Sequence, residues 1–595
     1  MKNIKIVGAK GFAYEELKHK HEHEHEHEHE HEVHVDPRTL AGDGTKEHPL
    51  EVIGLPLWPP FADLATLHIY ARATGCDATG DGQTIETAYR TFQRAVRDIP
   101  RLPPPGLRVV VDITDLGLEV LPANFQIPAY HAAVGGDFEN TYTSDRIAPF
   151  NTQLALEIIA YPKLASAVPP ADQIILADDL IGPGVAVDSD TNLVEIHTNK
   201  SYPVDSLKGL IIQGSTNISG VVWHNTAGPN SIIYITHAVV PDAPPSPFGG
   251  VQPLFALPAA PFSIREHSAE FQLNKNPADI VKGAFCIGGS GSVGIRGIKF
   301  RINPVAFSPT AFNVQVWRSS TVFFEACDLQ GIGILHSSGL IVFVNCVIRD
   351  SITVFQSCVF FVQGLMLDIP SMITPMTFVT AVQWLGFVIE GCAAIGAHFD
   401  PILPFGMGPQ SNLEMRYGVI RNSIADHNLA QIADPTNAPS PFFPFPAVPG
   451  LSPALQTPGH GVIFRGGSGT IDHVKIFGAA ADAIHLEFGS GLLRLRSVTG
   501  GSGGIVFGDL LDTPNGGVGV FVQDGATVRV IDQFPLANPI PTVVAGAGGD
   551  MLVGDLAARS WANFRGAAPL KQQYDITATA GAGATGTGSR LFEKP

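Results

Sequence analysis

The fold is decided by three short stretches that share one pattern: VFFEACDLQ (residues 322–330), VFVNCVIRD (residues 342–350) and FFVQGLMLD (residues 360–368). When they are aligned on the polar residues Glu325, Asn345 and Gln363, the separations are 20 and 18 residues. Each stretch is rich in aromatic and β-branched residues, and no helical pattern intervenes. A repeat of this length predicts a solenoid in which each coil stacks its apolar residues on the coil before it.

Later segments continue this style at looser spacing. They are GFVIEGCAA (386–394), RYGVIRNSIAD (416–426), IDHVKIFG (471–478), LRLRSVTG (493–500) and TVRVIDQ (527–533). We therefore expect an all-β chain whose body is a right-handed parallel β-helix, with Phe, Val, Ile and Cys side chains directed inward.

The composition favours many short strands and turns over helical bundles. Of the 595 residues, 63 are Gly, 47 are Pro and 15% are charged. The net charge is -18, and Lys and Arg are not clustered. Binding to phosphates needs concentrated positive charge, so we expect no nucleic-acid partner. Because no run of roughly 20 apolar residues occurs, we also expect no membrane span.

The amino-terminal stretch MKNIKIVGAKGFAYEELK has no apolar run long enough for a signal peptide. The six cysteines lack the paired spacing of a metal site, and most sit within apolar runs, so we expect buried free thiols. Synthesis in the cytoplasm without a signal peptide is the expectation. A fibrous surface protein made in this way fits a virion or extracellular particle that is assembled inside the cell.

One amphipathic helix is predicted near the start of the solenoid, within TGCDATGDGQTIETAYRTFQRAVRDIP (residues 74–100). Its apolar residues recur at helical spacing: Phe92, Ala95, Val96 and Ile99. This spacing predicts about three turns, ended by Pro100. A glycine-rich turn that leads into a Thr-Phe-Gln-x-Ala-Val helix resembles the entry of parallel β-helix proteins of the pectate-lyase-like superfamily. The resemblance implies that the helix caps the open end of the solenoid.

The stretch HKHEHEHEHEHEHEVHV (residues 19–35) places seven of its eight histidines on one parity, with His34 out of phase. In an extended strand one row would contain His19, His21, His23, His25, His27, His29 and His31, with glutamates on the opposite side. Three such chains around an axis would supply rings of three imidazoles, six nitrogen ligands for each His-x-His pair. The alternatives are an engineered affinity tag and a solvated low-complexity run.

The histidine row resembles the stem and tip regions of trimeric phage tail fibres and tail spikes, where His-x-His motifs hold metal on the axis. The resemblance implies a homotrimer that binds a divalent transition metal, Fe first, with Ni or Zn possible. The following residues Gly42-Asp43-Gly44-Thr45, Pro49-Leu50 and Val52 look like a short segment that recurs in phage fibre and baseplate-attached proteins. This likeness implies attachment to a tail or baseplate protein through the amino-terminal segment.

The expected domain organisation follows the composition along the chain. It comprises an attachment and stem segment (1–55), the β-helix entry with its capping helix (56–150), early coils with a β-rich insertion (151–262), the β-helix body (263–535) and a Gly/Ala-rich segment (536–595).

Candidate catalytic residues are few. Hydrolysis of a glycosidic bond needs two carboxylates, about 5 to 9.5 Å apart. Asp350 and Asp368 end consecutive coils and could form such a pair, but ordinary solvated turn residues would look the same. Asp178 and Asp179 form an acid pair in an apolar setting, with no Arg or Lys close in sequence.

A second candidate group is Gly459-His460-Gly461, followed by Asp472, His473 and Lys475. Polygalacturonases pair carboxylates with a Gly-His-Gly and an Arg-x-Lys, which this group resembles in part. The Asn-Thr-Asp and Arg-Ile-Lys sequences of that family are missing, so no catalytic residue is assigned. No phosphate-binding loop or Rossmann opening occurs either, so we expect no nucleotide cofactor.

Three functions fit these patterns. The first is a structural or receptor-binding fibre or spike of a phage tail or contractile injection particle, which binds a cell-surface polysaccharide. The second is a polysaccharide depolymerase, a lyase or glycoside hydrolase, of the same fold. The third is a monomeric secreted adhesin or lyase with an artificial tag, which the lack of an export signal disfavours.

Overall fold

The structure is a computed structural model. It describes residues 40–41, 51–52, 65–99, 107–123, 125–126, 155–188, 191–214, 218–239, 261–274, 284–288, 292–303, 314–317, 321–335, 340–355, 357–371, 381–392, 412–423, 459–465, 467–487, 492–499, 504–507, 510–512, 515, 520–522, 527–531, 550–554, 561–565, 575–579 and 590–593. The chain divides into two compact units, Met1–Pro56 and Leu57–Pro595. In the first unit, β1 (Leu40–Ala41) pairs with β2 (Glu51–Val52) in antiparallel orientation. The predicted histidine row (19–31) lies outside the described residues.

The second unit is all-β apart from one α-helix and two 3-10 helices within the described ranges. Its first part contains β3 (Ala65–Tyr70), α1 (Phe92–Arg97), β4 (Leu107–Asp112), β5 (Gly117–Val120), β6 (Phe125–Gln126) and β7 (Ala155–Ile159). Next come β8 (Lys163–Leu164), a 3-10 helix (Pro170–Asp172), β9 (Ile174–Ile175), a second 3-10 helix (Ala177–Asp179), β10 (Leu180–Val187), β11 (Leu193–Thr198), β12 (Ile211–Gly214), β13 (Ser219–Asn225), β14 (Ile232–Ala238) and β15 (Phe262–Glu266).

The rest of the second unit continues with strands alone in the part of the chain that is described. These are β16 (Ala269–Leu273), β17 (Phe285–Gly288), β18 (Ser292–Arg296), β19 (Ile298–Ile302), β20 (Val314–Trp317), β21 (Thr321–Glu325), β22 (Asp328–Leu335), β23 (Leu340–Val344), β24 (Val347–Phe355), β25 (Cys358–Ser371), β26 (Ala381–Glu390), β27 (Asn412–Arg421), β28 (Val462–Arg465), β29 (Ser468–Phe477), β30 (Ile484–Glu487), β31 (Leu492–Thr499), β32 (Gly504–Phe507), β33 (Leu510–Asp512), β34 (Val520–Val522), β35 (Thr527–Ile531), β36 (Asp550–Gly554), β37 (Trp561–Arg565), β38 (Asp575–Thr579) and β39 (Arg590–Glu593).

Three ladders of parallel strands stack successive coils. The first ladder runs β3, β4, β7, β18, β21, β23, β25, β26, β27, β29, β31, β35, β37, β39. The second runs β5, β16, β19, β22, β24 and then the later halves of β25, β26, β27, β29 and β31. The third joins β6, β17, β20, β22 and β24. We include in it a separate parallel sheet of later strands, β28, β30, β34, β36 and β38. This is a β-helix-like arrangement, as the sequence repeat predicted.

The interior of the coils is held by apolar side chains that stack from one coil to the next. Phe324 stacks on Phe343 with ring centroids 4.9 Å apart, and Phe343 stacks on Phe361 at 4.8 Å. Trp384 continues the column, 3.8 Å from Phe361. Because the equivalent residue is aromatic in these four coils, the column buries large apolar surfaces.

The sequence alignment of the first two coils was wrong by one residue. Glu325 pairs with Val344 rather than with Asn345. The residue equivalent to Asn345 and Gln363 is Ala326, and all three have left-handed backbone conformations, with φ of 51°, 52° and 55°. The separations are therefore 19 and 18 residues. The residue at the bend between two strands of a coil fixes how successive coils align. In the first coil this residue is an alanine, so an alignment on polar side chains missed it.

The predicted helix exists but is shorter than the three turns expected. α1 has six residues, begins after Thr91, whose hydroxyl accepts from the Arg94 N–H, and ends at Asp98. The Glu119 carboxylate on β5 accepts hydrogen bonds from the N–H groups of Phe92 and Gln93. Phe92 packs on Phe271 with ring centroids 4.8 Å apart, so the helix covers the interior at the first coil.

Strands β8 to β15, which lie between β7 and β16 in sequence, form an antiparallel sheet. It has an apolar core of its own, which includes Ile196, Ile212, Ile233 and Phe262. Its other face packs on the outside of the second ladder, where Trp223 and Tyr234 meet apolar side chains of the coils. Those are Leu365, Leu367, Val388, Val419 and Phe477. We call this sheet the insertion.

Parallel pairing extends beyond residues 263–535 on both sides, from β3 to β39. All six cysteines are free, as predicted, but Cys76 is exposed and Cys358 is half-buried, whereas the other four are buried. In the described residues there is no helix whose length and apolarity would suit a membrane crossing.

Candidate functional site

A line of half-buried and exposed side chains lies on the outside of the first ladder. Inward residues of its strands, such as Phe361 and Trp384, belong to the core, so their neighbours in sequence face the other side. Strand pairing brings these outward residues into line, coil upon coil. We call them the outer stripe: Phe323, Phe360, Gln383, Glu414, Thr470 and Arg494.

The outer stripe combines aromatic and polar chemistry. Phe323 and Phe360 are partly exposed, with the buried Val342 between them. Gln383, Glu414 and Thr470 supply hydrogen-bond donors and acceptors in the next three coils, and Glu414 pairs with Arg416. With about 4.8 Å between strands, the line from Phe360 to Arg494 is about 19 Å long.

Glu414 and Asp472 lie on neighbouring strands of the first ladder, offset by two residues. Asp472 is buried and accepts a hydrogen bond from Nδ1 of His473 at 2.7 Å. It is in register with Arg416, two residues beyond Glu414 on the neighbouring strand. That offset places the Cα atoms of Glu414 and Asp472 about 8 Å apart. His473 has a left-handed backbone conformation, with φ of 52°, at the bend of its coil. Its ring lies 5.5 Å from the ring of Tyr417. We call this bend the edge of the outer stripe.

Ion pairs join the insertion to the coils next to this edge. Lys475 Nζ lies 3.1 Å from the Asp188 carboxylate of the insertion. Glu390 is bound by Lys208 of the insertion at 2.7 Å and by Arg421 of the next coil at 2.8 Å. These contacts fix the insertion beside the outer stripe, and opposite charges neutralise each carboxylate.

Ion pairs also neutralise carboxylates elsewhere along the coils. Arg301 and Arg349 bind Asp328 from the coils on either side. Burial alone would raise the pKa of Asp328, but the hydrogen bond and charge of Arg301, with the charge of Arg349, lower the pKa below its ordinary value. Arg108 binds Glu157 at 2.6 Å in the same manner. Asp328 therefore stays ionised, and both carboxylates are bound to a cation, which suits a structural role.

A cluster of two histidines and one aspartate lies where two coils enter the third ladder. His460 lies two residues before β28, Asp482 lies two residues before β30, and His485 lies within β30, one coil on. Nδ1 of His485 is 2.8 Å from the Asp482 carboxylate, and Nδ1 of His460 is 3.3 Å from it. The imidazole rings stack with centroids 4.2 Å apart. We call these three residues the His–Asp–His cluster.

Glycines explain how His460 reaches this position. Gly459 has φ of 88°, which favours glycine. A Cβ on Gly461 would lie 2.6 Å from the Ala483 carbonyl oxygen, so only glycine allows this approach of the two coils. The Gly-His-Gly sequence is therefore explained by the backbone, independently of the catalysis that its resemblance to polygalacturonases suggested.

The candidates predicted from sequence are distributed over several places. His460 belongs to the His–Asp–His cluster, whereas Asp472 and His473 lie at the edge of the outer stripe. Asp368 is exposed, with φ of 50°, and the Asp350 side chain lies outside the described part of the structure.

The acid pair at Asp178 and Asp179 belongs to a 3-10 helix of the insertion. The Asp179 carboxylate accepts from the Leu176 N–H at 2.8 Å, and Lys200 Nζ lies 3.3 Å from it. Lys200, a cation distant in sequence, therefore forms an ion pair with Asp179. We interpret the pair as structural.

Sequence reasoning missed the outer stripe, Asp482 and His485. Gln383 and Thr470 lie in segments of ordinary strand character, and only the strand pairing shows that they align. Alternation of buried and outward residues within each coil would have identified the outward positions, had the loop lengths between coils been known.

No family model matches the chain, and no curated protein matches it. One solved structure with a similar arrangement is described as "Glycoside hydrolase"; the alignment covers 89% of this chain and 96% of that chain, with 8% sequence identity and a TM-score of 0.25. A likeness at this level assigns no activity.

Proposed function

We propose that the chain is a structural, receptor-binding fibre or spike protein that binds a cell-surface polysaccharide lengthwise along the outer stripe. The observation that carries this proposal is the in-register alignment of aromatic and polar side chains across successive coils. In this proposal the coils form a right-handed parallel β-helix, which provides a stiff support for an extended ligand.

The chemistry of the outer stripe suits a chain of sugars. The apolar C–H face of a pyranose packs well on an aromatic ring, which Phe323 and Phe360 offer. Sugar hydroxyls both donate and accept hydrogen bonds, as do the amide of Gln383 and the hydroxyl of Thr470. Because the polar residues recur once per coil, the site favours a repeating polymer over a compact ligand.

The amino-terminal segment completes this proposal. The row from His19 to His31 would hold a divalent transition metal, Fe first, on the axis of a homotrimer, and residues 36–54 would attach the trimer to a tail or baseplate protein. The proposed location is a virion or extracellular particle. Native mass spectrometry tests the assembly, and a species with the mass of a single chain, at micromolar concentration with metal present, would contradict it.

A binding assay tests the polysaccharide proposal. Purified surface polysaccharides are screened for binding by the natural chain, and the best ligand is then measured against Phe360→Ala and Gln383→Ala. We expect each variant to weaken binding by about tenfold. The matched control is Lys299→Ala, because Lys299 pairs with Glu270 on the second ladder, away from the outer stripe. Equal affinities for all four proteins, or no bound polysaccharide, would refute the proposal.

A second candidate is a polysaccharide depolymerase, and the pair Glu414 and Asp472 favours it. Inverting glycosidases use two carboxyl groups about 6.5–9.5 Å apart, and diagonal neighbours on paired strands, with Cα atoms about 8 Å apart, would have to orient their side chains to meet this distance. In that case the natural chain would release reducing ends from the bound polymer, and Glu414→Gln or Asp472→Asn would stop the release. The matched control Glu270→Gln would keep it. Binding without release by the natural chain favours the fibre over the depolymerase.

A further inference from the structure

The His–Asp–His cluster has the composition of a transition-metal site. Imidazole nitrogens and a carboxylate oxygen are the usual ligands of Zn²⁺ in sites with three protein ligands. One ligand atom from each of His460, Asp482 and His485 can be chosen such that all three atoms lie within 4.8 Å of one another. The ligands come from two successive coils, so they meet only through the fold.

The distances in the cluster suit one ion after a small adjustment. Donor atoms around a tetrahedral Zn²⁺ are about 3.3–3.6 Å apart, given the usual metal–ligand distances. Nδ1 of His460 is 3.3 Å from the Asp482 carboxylate, which meets this requirement. Nδ1 of His485 is 2.8 Å from the same carboxylate, a hydrogen-bond distance that would lengthen when an ion takes the place of the proton.

The protonation of the cluster also suits a metal. The backbone N–H of Asp482 donates to Nδ1 of His460 at 3.2 Å, so this nitrogen is unprotonated, and an ion bound there would replace that hydrogen bond. For His485, moving its proton from Nδ1 to Nε2 makes a lone pair available without a change of charge. The carboxylate would then balance part of the charge of the ion.

The backbone around the cluster is fixed before any ligand binds. The N–H of Gly461 donates to the Asp482 carbonyl oxygen and the N–H of Val462 to the Ala483 carbonyl oxygen, both at 2.9 Å. His460 and His485 are 3% and 9% exposed, which excludes most competing water. A rigid, shielded set of ligands has little conformational entropy to lose on binding.

We propose that His460, Asp482 and His485 bind one divalent transition-metal ion, with Zn²⁺ the best match, and leave a fourth position for water. The ion links two coils at their entry to the third ladder. This site is separate from the row between His19 and His31, and it depends neither on a trimer nor on polysaccharide binding.

The test must distinguish this site from the histidine row. All measurements therefore use the full chain in which His19, His21, His23, His25, His27, His29 and His31 are replaced by Gln. Zn²⁺ content is measured after equilibrium dialysis, and the melting temperature is measured with Zn²⁺ and with a chelator. We expect about one ion per chain and a higher melting temperature with Zn²⁺.

Three further variants locate the ion. His485→Asn and Asp482→Asn should each lower the Zn²⁺ affinity by at least about tenfold and remove the Zn²⁺-dependent rise in melting temperature. His473→Asn is the matched control, because His473 also pairs with an aspartate, and it should keep both. If a cluster variant fails to fold, Co²⁺ absorption of the parent chain decides, since a four-coordinate site gives an intense visible band.

Two results would overturn the proposal. One is a parent chain that binds no Zn²⁺ at micromolar concentration or gives no four-coordinate Co²⁺ band, which would leave only a hydrogen-bonded His–Asp pair. The other is an equal loss of Zn²⁺ from His473→Asn and from the two cluster variants, which would place the ion elsewhere.

Discussion

The ring of Trp384 lies almost parallel to the ring of Phe361 in the preceding coil, with centroids 3.8 Å apart and planes 9° apart. The same column continues through Phe343 and Phe324. Phe360, which precedes Phe361 in sequence and faces outward, belongs to the outer stripe. One position therefore stabilises the coils while its neighbour faces the proposed ligand, and the two roles are separable by mutation.

Replacing Phe361 by Ala should lower the free energy of unfolding by about 3–5 kcal/mol, because it leaves a cavity within the aromatic column. Phe360→Ala should cost less than half of that, since Phe360 is already partly exposed. Urea unfolding followed by circular dichroism measures both. Equal losses for the two variants would mean that the assignment of inward and outward residues is wrong.

Asp328→Asn should destabilise the coils on the order of 3 kcal/mol at neutral pH, because it leaves Arg301 and Arg349 without their buried partner. The folded pKa of Asp328 is lowered, so its stabilisation is complete above the ordinary value of about 3.9 and is lost as the pH falls through the folded pKa.

Unfolding measured at several pH values checks this prediction. The gap between the natural chain and Asp328→Asn should close in acid. Glu270→Gln, whose partner Lys299 is about a third exposed, is the control and should cost less than about 1 kcal/mol. A gap that persists unchanged at low pH would contradict the prediction.

Cys76 should react first with thiol reagents in the folded protein. Hydrogen bonds from Thr79 and from the backbone lower the pKa of this exposed thiol, whereas burial raises the pKa of Cys346. The thiolate is the reactive form, so brief alkylation followed by peptide mass spectrometry should find the label at Cys76. In denaturant all six cysteines should react. Labelling of Cys346 at the same rate in the folded state would show that the coil interior is open.

If the proposed metal-binding trimer forms, replacing His25 and His27 together by Ala should lower the metal content of the amino-terminal segment and loosen the trimer. Replacing Glu24 and Glu26 by Gln should leave the metal content nearly unchanged, because in the proposed extended strand the glutamates would lie on the side opposite the histidines. Elemental analysis by mass spectrometry compares the two double variants. Equal loss from both would indicate a flexible chelator with mixed ligands.

The sequence predicted the coils because their repeat lies in local residue patterns, such as the aromatic residue common to Phe343 and Phe361. The sequence alignment placed Glu325 wrongly because the bend depends on backbone conformation. Nothing in the residue type of Ala326 indicates a left-handed φ. The sequence could not predict the pair Lys208 and Glu390, since 182 residues separate them and their meeting depends on how the insertion docks.

Only one residue of the His–Asp–His cluster was identified from the sequence. His460 stood out in its Gly-His-Gly setting, but Asp482 and His485 gain meaning only when the second coil is placed over the first. The loop lengths between coils vary, so the spacing from 460 to 482 carries no periodic signal. Coil stacking, rather than a local motif, assembles these ligands.

A structure of the protein with a bound fragment of the polysaccharide that it retains best tests the proposed function most directly. We expect sugar rings along the outer stripe, with one ring on Phe360 and hydrogen bonds to Gln383 and Thr470 in the next coils. Sugar bound only to the insertion, or to the outside of the third ladder, would contradict the proposed function.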